Sequence, residues 1–187
     1  MTLPTPSQTV GPFFAIGLPY EGGPELVPPG HPDALRLFGV VLDADGEPVN
    51  DALLELWQAN AGGRYAHPED TREEIPLDEG FDGFGRAATD AEGRYEFVTV
   101  KPGRVPGSGG VLQAPHINVS VFARGLLKRL TTRVYFPDEV EANAEDPILS
   151  SIDDPTERDT LVARAEDGGL RFDVRLQGEG ETAFLAV

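Results

Sequence analysis

The stretch Gln113-Ala114-Pro115-His116-Ile117-Asn118-Val119-Ser120-Val121-Phe122-Ala123-Arg124 constrains the fold most. It is entered through a proline. Ile117, Val119 and Val121 then alternate with Asn118, Ser120 and Phe122, the period-2 pattern of a half-buried strand. The same period puts His116 and Asn118 on one face, two residues apart. A His-x-His here would be a ready pair of metal ligands; this chain has His-x-Asn.

Other strands are read in the same way. Leu35 to Leu42 comes first, and Asp43-Ala44-Asp45-Gly46 turns the chain. Ala52 to Gln58 follows, with the single tryptophan, Trp57. A long Gly-, Pro- and acid-rich segment from Ala59 to Phe84 holds Tyr65 and His67. Gly85 to Thr89 and Tyr95 to Val100 flank the turn Asp90-Ala91-Glu92-Gly93. Leu130 to Phe136 pairs with the central strand as a hairpin around residues 125–129. Asp138 to Ala144 forms one or two helical turns. Asp154-Pro155 is an N-cap followed by proline at the first helical position, predicting a helix to about Arg164 with Leu161 and Val162 as its apolar face, stopped by Gly168-Gly169. Leu170 to Leu176 alternates as a late strand, and Ala183 to Val187 is an apolar end.

Seven or eight short strands separated by Asp-Gly and Glu-Gly turns predict an all-β fold, a β-sandwich with short helices. The 22 glycines and 17 prolines favour turns over long helices. No flexible linker interrupts the 187 residues, so one domain is expected: an N-terminal arm and loop over 1–34, and a sandwich core over 35–187. Prolines and Gly11 make Thr5 to Phe14 an extended arm. Phe13, Phe14 and Ile16 are too apolar for a free tail, so the arm must lie on its own domain or on a partner.

The net charge of −17 repels a phosphate backbone and disfavours nucleic acid. Cysteine is absent, which excludes disulfides, thiolate metal sites and a cysteine nucleophile, and fits a cytoplasmic location. The N-terminus has no basic region followed by an apolar run, and no apolar stretch approaches the ~20 residues a membrane helix needs. Glycine-rich nucleotide loops and a Gly-x-Ser-x-Gly elbow are missing. Among 32 acidic residues, pairs such as Glu73-Glu74 and Asp153-Asp154 arise without a catalytic purpose.

A metal site would draw on His31, His67 and His116 and on Tyr20, Tyr65, Tyr95 and Tyr135. Phenolate and imidazole together suit hard ferric iron. Of the histidines only His116 sits on a strand, and His67, in an acidic loop, is expected to face solvent. Tyr65 fits a ligand and a packed, hydrogen-bonded tyrosine equally well. Arg124 follows an apolar strand and precedes Gly125; it fits a strand-end ion pair or a head that reaches a neighbouring surface.

Four segments carry a resemblance: residues 5–13 (Thr-Pro-Ser-Gln-Thr-Val-Gly-Pro-Phe), 54–60 (Leu-Glu-Leu-Trp-Gln-Ala-Asn), 114–125 and 171–182. Together they resemble the intradiol ring-cleavage dioxygenases, and within these the α chains of two-chain members. The resemblance implies similar β-sandwich cores in both chains. It implies a β-chain partner holding non-haem Fe(III) through two tyrosines and two histidines, in a higher-order αβ assembly. The implied reaction opens 3,4-dihydroxybenzoate with O2 between its hydroxyl-bearing carbons, giving 3-carboxy-cis,cis-muconate.

Carried over position by position, Tyr65 matches the first tyrosine ligand and Val105 the second, while His116 and Asn118 match the histidines. Valine and asparagine supply neither phenolate nor imidazole. The resemblance therefore implies no metal and no catalytic residue in this chain alone, only a remnant pocket. It places Thr9, Gly11, Pro12, Phe13 and Arg124 beside the partner's iron, lining the substrate pocket. Two rivals remain: an accessory β-sandwich binding module, suggested by the strand-turn segments 38–46 and 89–97, and a self-sufficient catechol-cleaving enzyme, with which Val105 and Asn118 conflict.

Overall fold

The structure, a computed structural model, describes Gly11 and residues 13–186. After a one-turn helix α1 (Phe14–Gly17), nine strands follow in chain order. They are β1 (Leu35–Leu42), β2 (Leu53–Trp57), β3 (Phe84–Ala88), β4 (Arg94–Thr99), β5 (His116–Phe122), β6 (Leu130–Tyr135), β7 (Arg164–Glu166), β8 (Gly169–Arg171) and β9 (Val174–Arg175). Two further helices, α2 (Val140–Glu145) and α3 (Pro155–Asp159), lie between β6 and β7. One sheet runs β4-β1-β8-β7, with β9 also on β1; the other runs β3-β2-β5-β6. The expected sandwich is present. No helix among the described residues is long and apolar enough to cross a membrane.

Both acidic turns carry the chain between the sheets by the same chemistry. Asp43 Oδ1 accepts from the Asp45 and Glu47 amides, and Asp90 Oδ1 from the Glu92 and Arg94 amides. Between the sheets, Leu37, Val41 and Phe97 meet Leu54, Leu56, Val119 and Val121 in one buried cluster. Each such side chain contributes roughly 1.5–3 kcal/mol by leaving water. Alternation on β5 sends Ile117, Val119 and Val121 inward and leaves His116, Asn118 and Ser120 on the opposite face.

Three expectations are corrected. The expected extended arm, Thr5 to Phe14, turns at its described end: Phe13 O accepts from the Gly17 amide at 2.8 Å, closing a turn that seats Phe14 in the domain. The helix after Asp154 ends at Asp159, although Asp154 caps it through Thr156 N as expected. Leu161 is buried, but not on a helix. The amide of Tyr135 donates to Leu161 O and that of Ala163 to Tyr135 O, so this segment extends the edge of β6. Gly168-Gly169 accordingly turns β7 into β8 rather than stopping a helix. The late strand is broken in two at Phe172-Asp173, where Asp173 Oδ1 takes the Val40 amide in place of a backbone carbonyl.

Candidate functional site: a pocket on the outer face of the second sheet

β2 delivers the first half of the pocket. Past Trp57 the buried Gln58 donates to Val100 O at 2.9 Å and accepts from Thr99 Oγ1 at 2.7 Å, tying this sheet to the end of β4. Asn60 then folds the chain back. Its Oδ1 accepts from the Arg64 amide, its Nδ2 donates to Pro76 O, and its carbonyl accepts from Gly63 and Gly103. Gly63 sits at φ +84° with its missing Cβ 2.2 Å from Arg104 O, so no other residue fits this turn. The reversal lays Tyr65 over Trp57, ring centroids 5.6 Å apart and 16° from parallel. Asp70 accepts from the Tyr65 amide at 2.8 Å and is clamped by Arg72, which holds its carboxyl well below the usual range.

The β5–β6 hairpin supplies the second half. Its register sets His116 across from Tyr135, and Asn118 between Trp57 and Arg133. Arg133 Nε donates to Asn118 Oδ1 at 3.1 Å and its Nη1 to Tyr135 Oη at 3.4 Å. The Tyr135 hydroxyl donates to the fully buried Asp146 at 3.0 Å. Asn118 Nδ2 donates to Trp57 O at 3.2 Å and to Tyr65 Oη at 3.5 Å. His116 is held through Nδ1 by Ala114 O at 2.8 Å, while its buried Nε2 has no hydrogen-bond partner among the described residues. Beside this block a cleft of about 580 Å³ is lined by Trp57, Tyr65, His67, Arg72 and Val105, among others.

Burial decides the charge states. It pushes the Tyr65 phenol upward, against the opposing pull of Asn118 and Arg133, so the phenol is neutral near pH 7. Burial, reinforced by Arg133, lowers His116 to about 4, so its imidazole is neutral too. The Tyr135 hydroxyl is likewise pushed upward by burial.

These residues do not fit an iron ion. Val105 is buried and has no donor atom. The Asn118 oxygen is committed to Arg133, and its nitrogen presents hydrogens. A guanidinium, that of Arg133, stands against Asn118 in the same block. Of the four positions His116 presents an unpartnered ring nitrogen, Nε2. Among the described residues no group of three or more His, Cys, Asp or Glu could hold a metal.

The structure thus brings Tyr65, Val105, His116 and Asn118 to one region, with Tyr135 beside His116 and His67 at the cleft, and keeps Tyr20, Tyr95 and His31 away. Tyr95 is buried and bonded to Phe172 O, Tyr20 packs on Arg86, and His31 receives the Asp33 amide. His67 is exposed, as expected, with its ring edge-on to Trp57. Thr9 and Pro12 lie outside the described residues; Gly11 takes φ +85°. Phe13 is 75% exposed while Phe14 is buried, so the segment at these two residues rests on its own domain yet turns apolar surface outward. Arg124 is 77% exposed and 3.4 Å from Asp51, the strand-end ion pair. It lies eight residues along the chain from His116, roughly 27 Å when extended, too far to serve this chain's own pocket. Arg133 and Asp146 carry no mark in the sequence pattern; the hairpin register alone would have set Arg133 opposite Asn118.

A model of the dioxygenase family (Dioxygenase_C) matches residues 10–178. The chain is 45% identical to the protocatechuate 3,4-dioxygenase alpha chain of Pseudomonas putida, over 97% of this chain and 95% of that protein. It is 42% identical to the beta chain from Burkholderia cepacia, over 80% of this chain and 67% of that one. The solved dioxygenase domain of a carbohydrate-binding fusion protein from Streptomyces sp. SirexAA-E superposes with a TM-score of 0.57 at 29% identity, covering 94% of this chain and 99% of that one. The family model and the alpha-chain relative each span most of the sequence: the chain belongs to the intradiol dioxygenase family.

Proposed function

We propose that this chain is the non-iron-binding α subunit of a protocatechuate 3,4-dioxygenase, working with a β chain that holds the Fe(III). The observation that carries the reading is that Val105 is buried without a donor atom and Asn118 is bonded to Arg133, at two positions the resemblance matches to iron ligands. A chain so built contributes to activity by completing a partner's site. Its likeness to alpha chains over nearly its full length supports the same role.

In this reading residues 1–34 are the arm that reaches the partner, and 35–187 the core that presents it. Thr9, Gly11, Pro12 and Phe13 line the partner's substrate pocket, and the outward Phe13 supports that placement. Arg124, whose only carboxylate partner among the described residues is Asp51 at 3.4 Å, is available to the carboxylate of 3,4-dihydroxybenzoate through charge-assisted hydrogen bonds. O2 is the co-substrate, and the αβ units assemble further in the cytoplasm.

The test is iron content and protocatechuate-dependent oxygen uptake, first for this chain alone and then after mixing with its β chain. Iron and turnover only in the mixture are expected. Stoichiometric iron and turnover in the isolated chain would overturn the reading. Inactivity with a folded, metallated β chain would favour an accessory module.

A further inference from the structure

We infer that the guanidinium of Arg133 is the resident cation of this chain's own pocket, and that it excludes a metal ion independently of the missing ligands at Val105 and Asn118. The inference goes beyond the proposed function, because it holds whether or not a partner carries the active iron.

The geometry is specific. Arg133 stands on the same sheet face as His116, Asn118 and Tyr135, directly across from Asn118. It donates to a carboxamide oxygen and to a phenol, both neutral. Among the described residues no carboxylate makes an ion pair with it, in a chain of net charge −17. The nearest acid in its network, Asp146, reaches it only through the Tyr135 hydroxyl. A half-buried arginine left with neutral acceptors in so acidic a chain is serving as the site's charge.

The neighbouring groups agree with that assignment. The amide of Asn118 relays Arg133 to Tyr65, accepting from the guanidinium through Oδ1 and donating to the phenol through Nδ2. The unpartnered Nε2 of His116 keeps its lone pair in the same buried region. The block thus gathers these side chains around a covalently attached cation that supplies its positive charge. A ferric ion added beside it would meet like-charge repulsion that a low-dielectric site screens poorly. Restoring ligands without removing Arg133 should therefore fail.

The test is made on the full chain, purified with any partner it retains. Iron is counted as the excess over the unmutated protein, so a partner's metal cancels. Val105→Tyr/Asn118→His restores the ligand set, and the same variant with Arg133→Gln or Arg133→Lys separates charge from shape. After aerobic loading with a ferrous salt alone, the Gln triple variant is expected to gain about one iron per chain and a phenolate-to-iron visible band. The double and the Lys triple variants are expected to gain less than about a tenth of that. Equal loading of the double and Gln triple variants would overturn the inference. So would a Gln triple variant that unfolds cooperatively on heating yet gains no iron. A milder pair guards against a folding failure at the buried Val105: Asn118→His with and without Arg133→Gln, titrated with Co(II). Removing the charge should tighten Co(II) binding by about tenfold or more, and unchanged affinity would overturn the inference.

Discussion

The carbonyl oxygen of Phe172 stands 1.9 Å from the point at which Gly39 would carry a Cβ, and it accepts the hydroxyl of Tyr95. Gly39 and Tyr95 are themselves register partners across β1 and β4. The absent side chain thus lets the break between β8 and β9 dock on β1. Gly39→Ala meets backbone that cannot yield and is expected to cost more than about 3 kcal/mol, or to prevent folding. Tyr95→Phe keeps the ring but strips a buried carbonyl of its donor, for about 1–3 kcal/mol. Denaturant unfolding checks both, and a neutral Gly39→Ala would refute the docking argument.

The same residues show where sequence reading succeeds and where it stops. β1 was legible to the residue because alternation and an Asp-x-x-Gly turn coincide at its end. The cap at Asp154 was legible because capping is local chemistry. The end of α3 was not, since the pairing of Leu161–Ala163 with Tyr135 is a contact across some 26 positions that no local pattern carries. The break at Phe172-Asp173 was hidden for the same reason: Asp173 reads as a polar strand residue until Val40 is found opposite it. In the pocket, the ligand positions were legible through resemblance, whereas Arg133 needed the register.

Gln58 joins the two sheets through a buried amide, so its loss should be felt globally. Gln58→Leu keeps much of the volume but leaves Val100 O and the Thr99 hydroxyl without their partner. A cost of about 3 kcal/mol is expected, from two buried polar groups at about 1–3 kcal/mol each. Adding Thr99→Val removes one of the orphaned groups and should recover about 1 kcal/mol. A double variant no more stable than Gln58→Leu would show that the hydroxyl finds another acceptor.

His116 gives the fold a pH dependence of predictable sign. Its folded value, about 4, lies below the ordinary 6.5, chiefly because burial disfavours the charged ring and secondly because of Arg133. The unfolded chain therefore binds its proton first as pH falls. The contribution of a neutral His116 is complete above the ordinary value, is lost progressively between 6.5 and about 4, and is gone below. The loss amounts to about 3 kcal/mol. Unfolding free energies at about pH 7.5 and about pH 3.5 should fall further in the native chain than in His116→Gln by that amount. Equal falls would mean that water or a partner stabilises the imidazolium.

Arg124 separates a structural role from a functional one. Its contact with Asp51 is long, at 3.4 Å, and the guanidinium is 77% exposed, so the pair contributes little to stability. Arg124→Ala should leave the unfolding free energy within about 0.5 kcal/mol of the native chain. In the αβ enzyme it should raise KM for 3,4-dihydroxybenzoate while changing turnover of catechol, which lacks the carboxylate, much less. A charge-assisted hydrogen bond contributes about 1.5–3 kcal/mol, which corresponds to about tenfold to a hundredfold in kcat/KM. Arg124→Lys should recover part of it, because a single ammonium donates without the planar fork. Asp51→Asn removes the competing carboxylate and should leave KM unchanged or lower it. If both substrates lose equally in Arg124→Ala, the arginine shapes the interface and does not read the carboxylate.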